Sequence, residues 1–101
     1  MTMNIKGVTV CLGYQQITDL SSAAGLTVPA VDKAGNKIQP TMALIICETQ
    51  NVRWRDDGTD PTGSVGMPLT VGTALQYDGD LTKIKFIQQS ASAKLNISYY
   101  A

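Results

Sequence analysis

The sequence predicts an all-β domain: an antiparallel β-sandwich or jelly-roll-like barrel of six to eight short strands. Three observations predict it. Short segments rich in β-branched and aromatic residues recur along the chain, several with strict apolar/polar alternation. Glycine, proline and Asp-Gly steps separate them. No segment carries the apolar period of a long helix, and none repeats at the fixed spacing of a solenoid. The 101 residues suit a single domain, 1–101, with one core of modest stability.

Val8 to Tyr14 alternates large apolar residues with small ones and is expected to be a strand. Ile17 to Gly25 is ambiguous: Asp19 or Ser21 could cap a helical turn through Ala23 and Ala24, with Gly25 ending it. Leu26 to Val28 reads as a short strand stopped by Pro29. Val31 to Pro40 is polar and should form a hairpin tip or surface loop. Met42 to Cys47 is the most apolar run, which predicts a central strand covered on both faces.

Glu48 to Asn51 allows either a turn or a bulge, so a hairpin and one long bent strand both remain open. In Val52-Arg53-Trp54-Arg55, Val52 and Trp54 should face the core and the arginines the other way. Asp57-Gly58 and Asp60-Pro61 then supply turn residues. Thr62 to Gly72 is punctuated by Gly63, Gly66 and Pro68 and reads as irregular. Ala74 to Tyr77 is a short strand ended by Asp78-Gly79-Asp80. Leu81 to Gln89 follows with Ile84 and Phe86 inward, and Lys94 to Tyr99 closes the chain with Leu95, Ile97 and Tyr99 on one face.

Composition removes several function classes. Eight basic residues balance eight acidic ones, so the chain lacks the cationic surplus that a phosphate track requires, and no nucleic-acid partner is expected. No apolar run approaches the roughly 20 residues of a membrane helix. The single Lys6 before a short apolar run does not make a secretion signal, so no membrane partner and no export are expected. Asn96-Ile97-Ser98 matches a glycosylation acceptor but falls mid-strand in such a chain, and is discounted.

With no histidine, the Ser-His and Cys-His arrangements of nucleophilic catalysis cannot form. No S-x-x-K spacing replaces them, so no enzyme is expected. Asp56, Asp57, Asp60, Asp78 and Asp80 could serve as paired carboxylates or as calcium ligands, yet all sit in turn contexts that account for them. Neither a metal nor any other cofactor is expected. Cys11 and Cys47 read as two reduced, buried thiols, with a disulfide between them possible. Arg53, Arg55, Asp56 and Asp57 are the candidate interface residues, because arginine forks beside an aromatic suit a protein–protein contact.

The run from Val52 to Thr62 continues into Gly66 and Met67-Pro68-Leu69, then Tyr77-Asp78-Gly79-Asp80-Leu81, then Ile84-Lys85-Phe86-Ile87, and ends on the tyrosine-closed strand Ala93 to Tyr100. This succession resembles small virion proteins of tailed bacteriophages. It covers the second half of the chain well and the first half loosely. The resemblance implies a β-rich, non-enzymatic virion protein, assembled in the bacterial host cytoplasm, that works as a homo-oligomer, a trimer or larger. Its partners would be the major capsid protein or other virion proteins. Capsid decoration is the role expected first, and a tail, neck or fibre adaptor second. A carbohydrate-binding module is the rival from another class, and would need an exposed aromatic on a face or loop.

Overall fold

A computed structural model describes residues 10–101. Among these, eight strands and no helix are present: β1 (Cys11–Ile17), β2 (Ala24–Gly25), β3 (Met42–Glu48), β4 (Val52–Arg55), β5 (Met67–Leu69), β6 (Ala74–Tyr77), β7 (Lys85–Gln88) and β8 (Lys94–Tyr100). They form two four-stranded antiparallel sheets, ordered β1-β8-β3-β6 and β2-β7-β4-β5. Each sheet is open at both edges, so the molecule is a two-sheet stack and not a closed barrel. Every connection except β4–β5 carries the chain from one sheet to the other.

Side-chain alternation builds the core. On β8, Leu95, Ile97 and Tyr99 are buried; on β3, Ala43, Ile45 and Cys47 are. Their register pairs Cys47 with Leu95, Ile45 with Ile97 and Ala43 with Tyr99. The second sheet answers with Val52, Leu69 and Phe86, and Leu20, Leu81 and Ile84 join the core from the connections. Each fully buried aliphatic or aromatic side chain contributes roughly 1.5–3 kcal/mol.

Several sequence expectations are corrected. The first strand runs through Gln16 and Ile17, and the Val8 and Thr9 part of the expected strand lies outside the described residues. Residues 19–24 form no helical turn. Asp19 Oδ1 instead accepts from Ser21 N at 3.2 Å and Ser21 Oγ at 2.7 Å, a local alternative to helix. Leu26 and Val28 pack against the core without joining a sheet. β3 is interior to its sheet, but only one of its faces is buried; Met42, Leu44 and Ile46 are half-covered. Thr49 to Asn51 is a corner between sheets, which rules out a continuous bent strand. Within the stretch expected to be irregular, Met67–Leu69 forms β5, an edge strand, where Pro68 is tolerated. Cys47 is buried as expected, but Cys11 is exposed; both thiols are free.

Corners at one end of the sandwich are tied together by Asn51. Its carbonyl accepts from Gln89 N at 3.0 Å and its side-chain oxygen from Val71 N at 2.9 Å. Thr49 and Ser92, the non-glycine residues with positive φ (71° and 70°) among those described, lie in two of these corners, and the Thr49 hydroxyl donates to the Ser92 carbonyl. A second polar node joins the first sheet to the irregular segment after β2. Gln15 Oε1 accepts from the Tyr99 hydroxyl at 2.7 Å and from Thr27 N at 3.0 Å.

Replacing Gln15 by Leu strands the part-buried Tyr99 hydroxyl and removes the exposed bond from Thr27 N, and should cost about 1–3 kcal/mol in urea unfolding. Combined with Tyr99→Phe, the loss should be smaller than the sum of the single changes, because the two residues share one bond. A second prediction concerns alkali. Burial pushes the Tyr99 phenol up to about 12 from an ordinary 10. Tyr77 is also raised, first by burial and then by the Asp56 carboxylate. The native state therefore holds these protons more tightly than the unfolded chain does. Stability should be full below pH about 10 and fall as pH rises through about 12. Urea midpoints measured across that range, with Tyr99→Phe flattening the curve, check the sign.

Candidate functional site

The candidate site is the β4–β5 loop, residues 56–66, with the sheet face beneath it. β4 alternates as expected: Val52 is buried and Trp54 packs on the core, while Arg53 and Arg55 project from the opposite face. The Trp54 ring meets Tyr77 edge-on, with centroids 5.9 Å apart at 69°.

Arg53 anchors the far half of the loop. Its Nη1 donates to the Gly66 carbonyl at 2.8 Å and its Nε to the Gly63 carbonyl at 3.3 Å. With the Gln89 amide oxygen turned toward it, Arg53 also lies 3.0 Å (Nε) and 3.3 Å (Nη2) from that acceptor. Gly66 has φ +142°, and a Cβ there would stand 3.1 Å from both Arg53 Cβ and the Trp54 carbonyl. Glycine at this position is what lets the returning chain lie so close to β4. Pro61, a buried residue of the loop, and a turn closed by Thr62 N donating to Val65 O at 2.9 Å complete its shape.

Arg55 holds the near half. Its fork grips Asp57, with Nε 3.0 Å from Oδ1 and Nη2 bonded to Oδ2. The Arg55 hydrogen bonds hold the Asp57 carboxyl below its ordinary range. Lys85 on neighbouring β7 lies 3.2 Å from Asp60, an exposed pair. Asp56 turns away from this cluster. Its Oδ2 accepts from the Tyr77 hydroxyl at 2.6 Å, tying β6 of one sheet to the end of β4 in the other. The Tyr77 ring lies over Gly79, where a Cβ would come within 2.6 Å of Cζ; this accounts for the glycine two residues after the tyrosine.

Of the four candidate residues, Arg53 and Arg55 therefore share one face, Asp57 joins Arg55, and Asp56 serves a separate junction. Gln89, Lys85 and Tyr77 are participants that the local sequence pattern did not single out, since all three arrive from other strands or corners. The arrangement contains no nucleophile with a base beside it. Among the described residues, no three His, Cys, Asp or Glu side chains gather into a metal-binding group. What the loop does present is a mixed surface. Val65 and Met67, 52% and 56% exposed, flank a shallow open depression shared with Arg55, Asp56, Asp57 and Gly66.

Arg53→Ala should loosen the loop, removing bonds to the half-covered Gly66 carbonyl and the exposed Gly63 carbonyl at a cost of about 1–3 kcal/mol, with faster proteolysis between residues 57 and 65 as the direct readout. Arg55→Ala breaks an exposed pair and should change stability by less than about 1 kcal/mol. Equal effects from the two would contradict this division of labour. Comparison of the chain with protein-family models, with curated proteins and with solved structures finds no match to any of them.

Proposed function

We propose that this chain is a structural protein of a bacteriophage virion, most specifically a capsid decoration protein, that works by docking and not by catalysis. The observation that carries the proposal is the pinned loop 56–66. Arg53 and Arg55 fix its two halves, and it sets exposed Val65, next to exposed Met67 at the start of β5, beside a charged pair. A loop already ordered before contact loses little entropy on binding, and apolar residues bordered by arginine suit a protein partner. On this reading the arginines act first as struts that shape the docking surface.

The strand orders support the finer fold assignment, a jelly roll. Orders β1-β8-β3-β6 and β2-β7-β4-β5, with the chain crossing between sheets at nearly every connection, fit eight strands wound as a double-sheet roll. That architecture recurs in viral capsid domains and also in lectins. The motif succession from Val52 to Tyr100 supports the first of these. For the sugar-binding alternative, the supporting feature is Tyr14, 65% exposed on a strand face; Trp54 lies against Tyr77 instead of standing free.

The test is occupancy of purified phage particles from the source genome, by mass spectrometry and labelled-antibody microscopy. Many copies spread over the shell are expected, and an Arg53→Glu/Arg55→Glu variant should be depleted from particles. A few copies at one vertex would favour the tail or neck role. Absence from particles would overturn the virion reading, and undiminished incorporation of the variant would overturn the loop as the contact.

A further inference from the structure

The two sheets have four edges, and three of them are blunted. β2 is two residues long. β5 is three residues long and contains Pro68, which has no N–H to offer. β6 has four residues. β1 differs from all of these: it has seven residues, Cys-Leu-Gly-Tyr-Gln-Gln-Ile, with no charge and no proline. Short edges, prolines, inward-pointing charges and β-bulges are the usual guards against strand addition; β1 carries none of the first three, and its one bulge lies at its start, before Gly13.

The inner side of β1 is occupied; its outer edge is not occupied by any of the described residues. Pro29 sits 3.2 Å from where a Cβ on Gly13 would stand, and Thr27 N reaches the Gln15 side chain. Among the described residues, however, no backbone group outside β8 bonds to the backbone of residues 12–17. The bulge between Cys11 and Gly13 confines regular geometry to Gly13–Ile17. The outer face here is equally uncharged: Tyr14 and Gln16 both bond to Asn96 of β8.

We propose that β1 pairs antiparallel with β1 of a second copy, joining two four-stranded sheets into one of eight across a two-fold axis. A second copy is the occupant that this strand fits. An antiparallel pair of identical strands is self-complementary under two-fold symmetry, and an uncharged strand opposes no like charges when it meets itself. With the axis near Gln15, Tyr14 of one copy lies beside Gln16 of the other. Backbone hydrogen bonds hold the contact, so it resists salt, unlike a contact made by the Arg53 and Arg55 face. The inference stands on β1 alone and does not depend on the virion reading. It differs from the trimer or larger ring that the sequence resemblance implies.

The experiment is solution mass by light scattering across concentration and salt, paired with amide hydrogen exchange. A dimer is expected, insensitive to salt, with β1 amides gaining at least tenfold protection as concentration rises through the association range. Tyr14→Lys/Gln16→Lys places lysines from both copies together on exposed positions and should return the protein to a monomer with unchanged circular dichroism. A monomer at every concentration, a trimer, or a dimer whose β1 amides stay unprotected would each overturn the proposal. The exchange readout decides the matter even where the double variant fails to fold.

Discussion

The structure depends on one row of contacts, the inward face of β8 against β3 and the opposing sheet. Leu95, Ile97 and Tyr99 lie beside Cys47, Ile45 and Ala43, and all six are buried. A shift of one residue along this pair would turn every one of them to the outside. The register therefore fixes more than the core. It sets Tyr99 where its hydroxyl meets Gln15, and so sets the position of β1 and of the irregular segment held through Thr27. The second sheet is positioned by what this row leaves exposed: Phe86, Val52 and Leu69 fill it.

Polar contacts divide into those that locate and those that decorate. Tyr77–Asp56 and Tyr99–Gln15 involve two of the most buried aromatic side chains, each with its single polar atom satisfied at the edge of the core. An aromatic of this kind contributes apolar area and direction together. Arg55–Asp57 and Lys85–Asp60 are exposed and gain little in water. Arg53 stands apart from both, because its partners are backbone carbonyls on a loop that has few other attachments.

Much of the fold was legible in the chain because alternation is a local signal. β3, β4, β6 and β8 lie where the pattern put them, and the inward residues Ile84, Phe86, Leu95, Ile97 and Tyr99 are all buried. The misses share a cause. β5 was hidden by Pro68, which argues against a strand only if the strand is interior, and edge position is a property of the sheet. Cys11 was expected inside because its neighbours are apolar, yet it stands beside Ser98 on the outer face. At the site, a fork between adjacent Asp56 and Asp57 could not be resolved from sequence. Successive side chains point apart, and which one meets Arg55 depends on the path of the loop. Tyr77, Lys85 and Gln89 come from elements distant in sequence and leave no trace near Arg53.

The place of β8 has a consequence for biosynthesis. It lies between β1 and β3, yet follows both, and just beyond it Ala101 pairs with Val10. Until residue 100 has left the ribosome, β1 and β3 have a gap between them and the apolar row of β3 has no neighbour on that side. The first sheet is thus completed after synthesis of this segment and not during it. For that interval the nascent chain shows water its most hydrophobic strand, Met-Ala-Leu-Ile-Ile-Cys-Glu, which stays without that neighbour until β8 enters the gap.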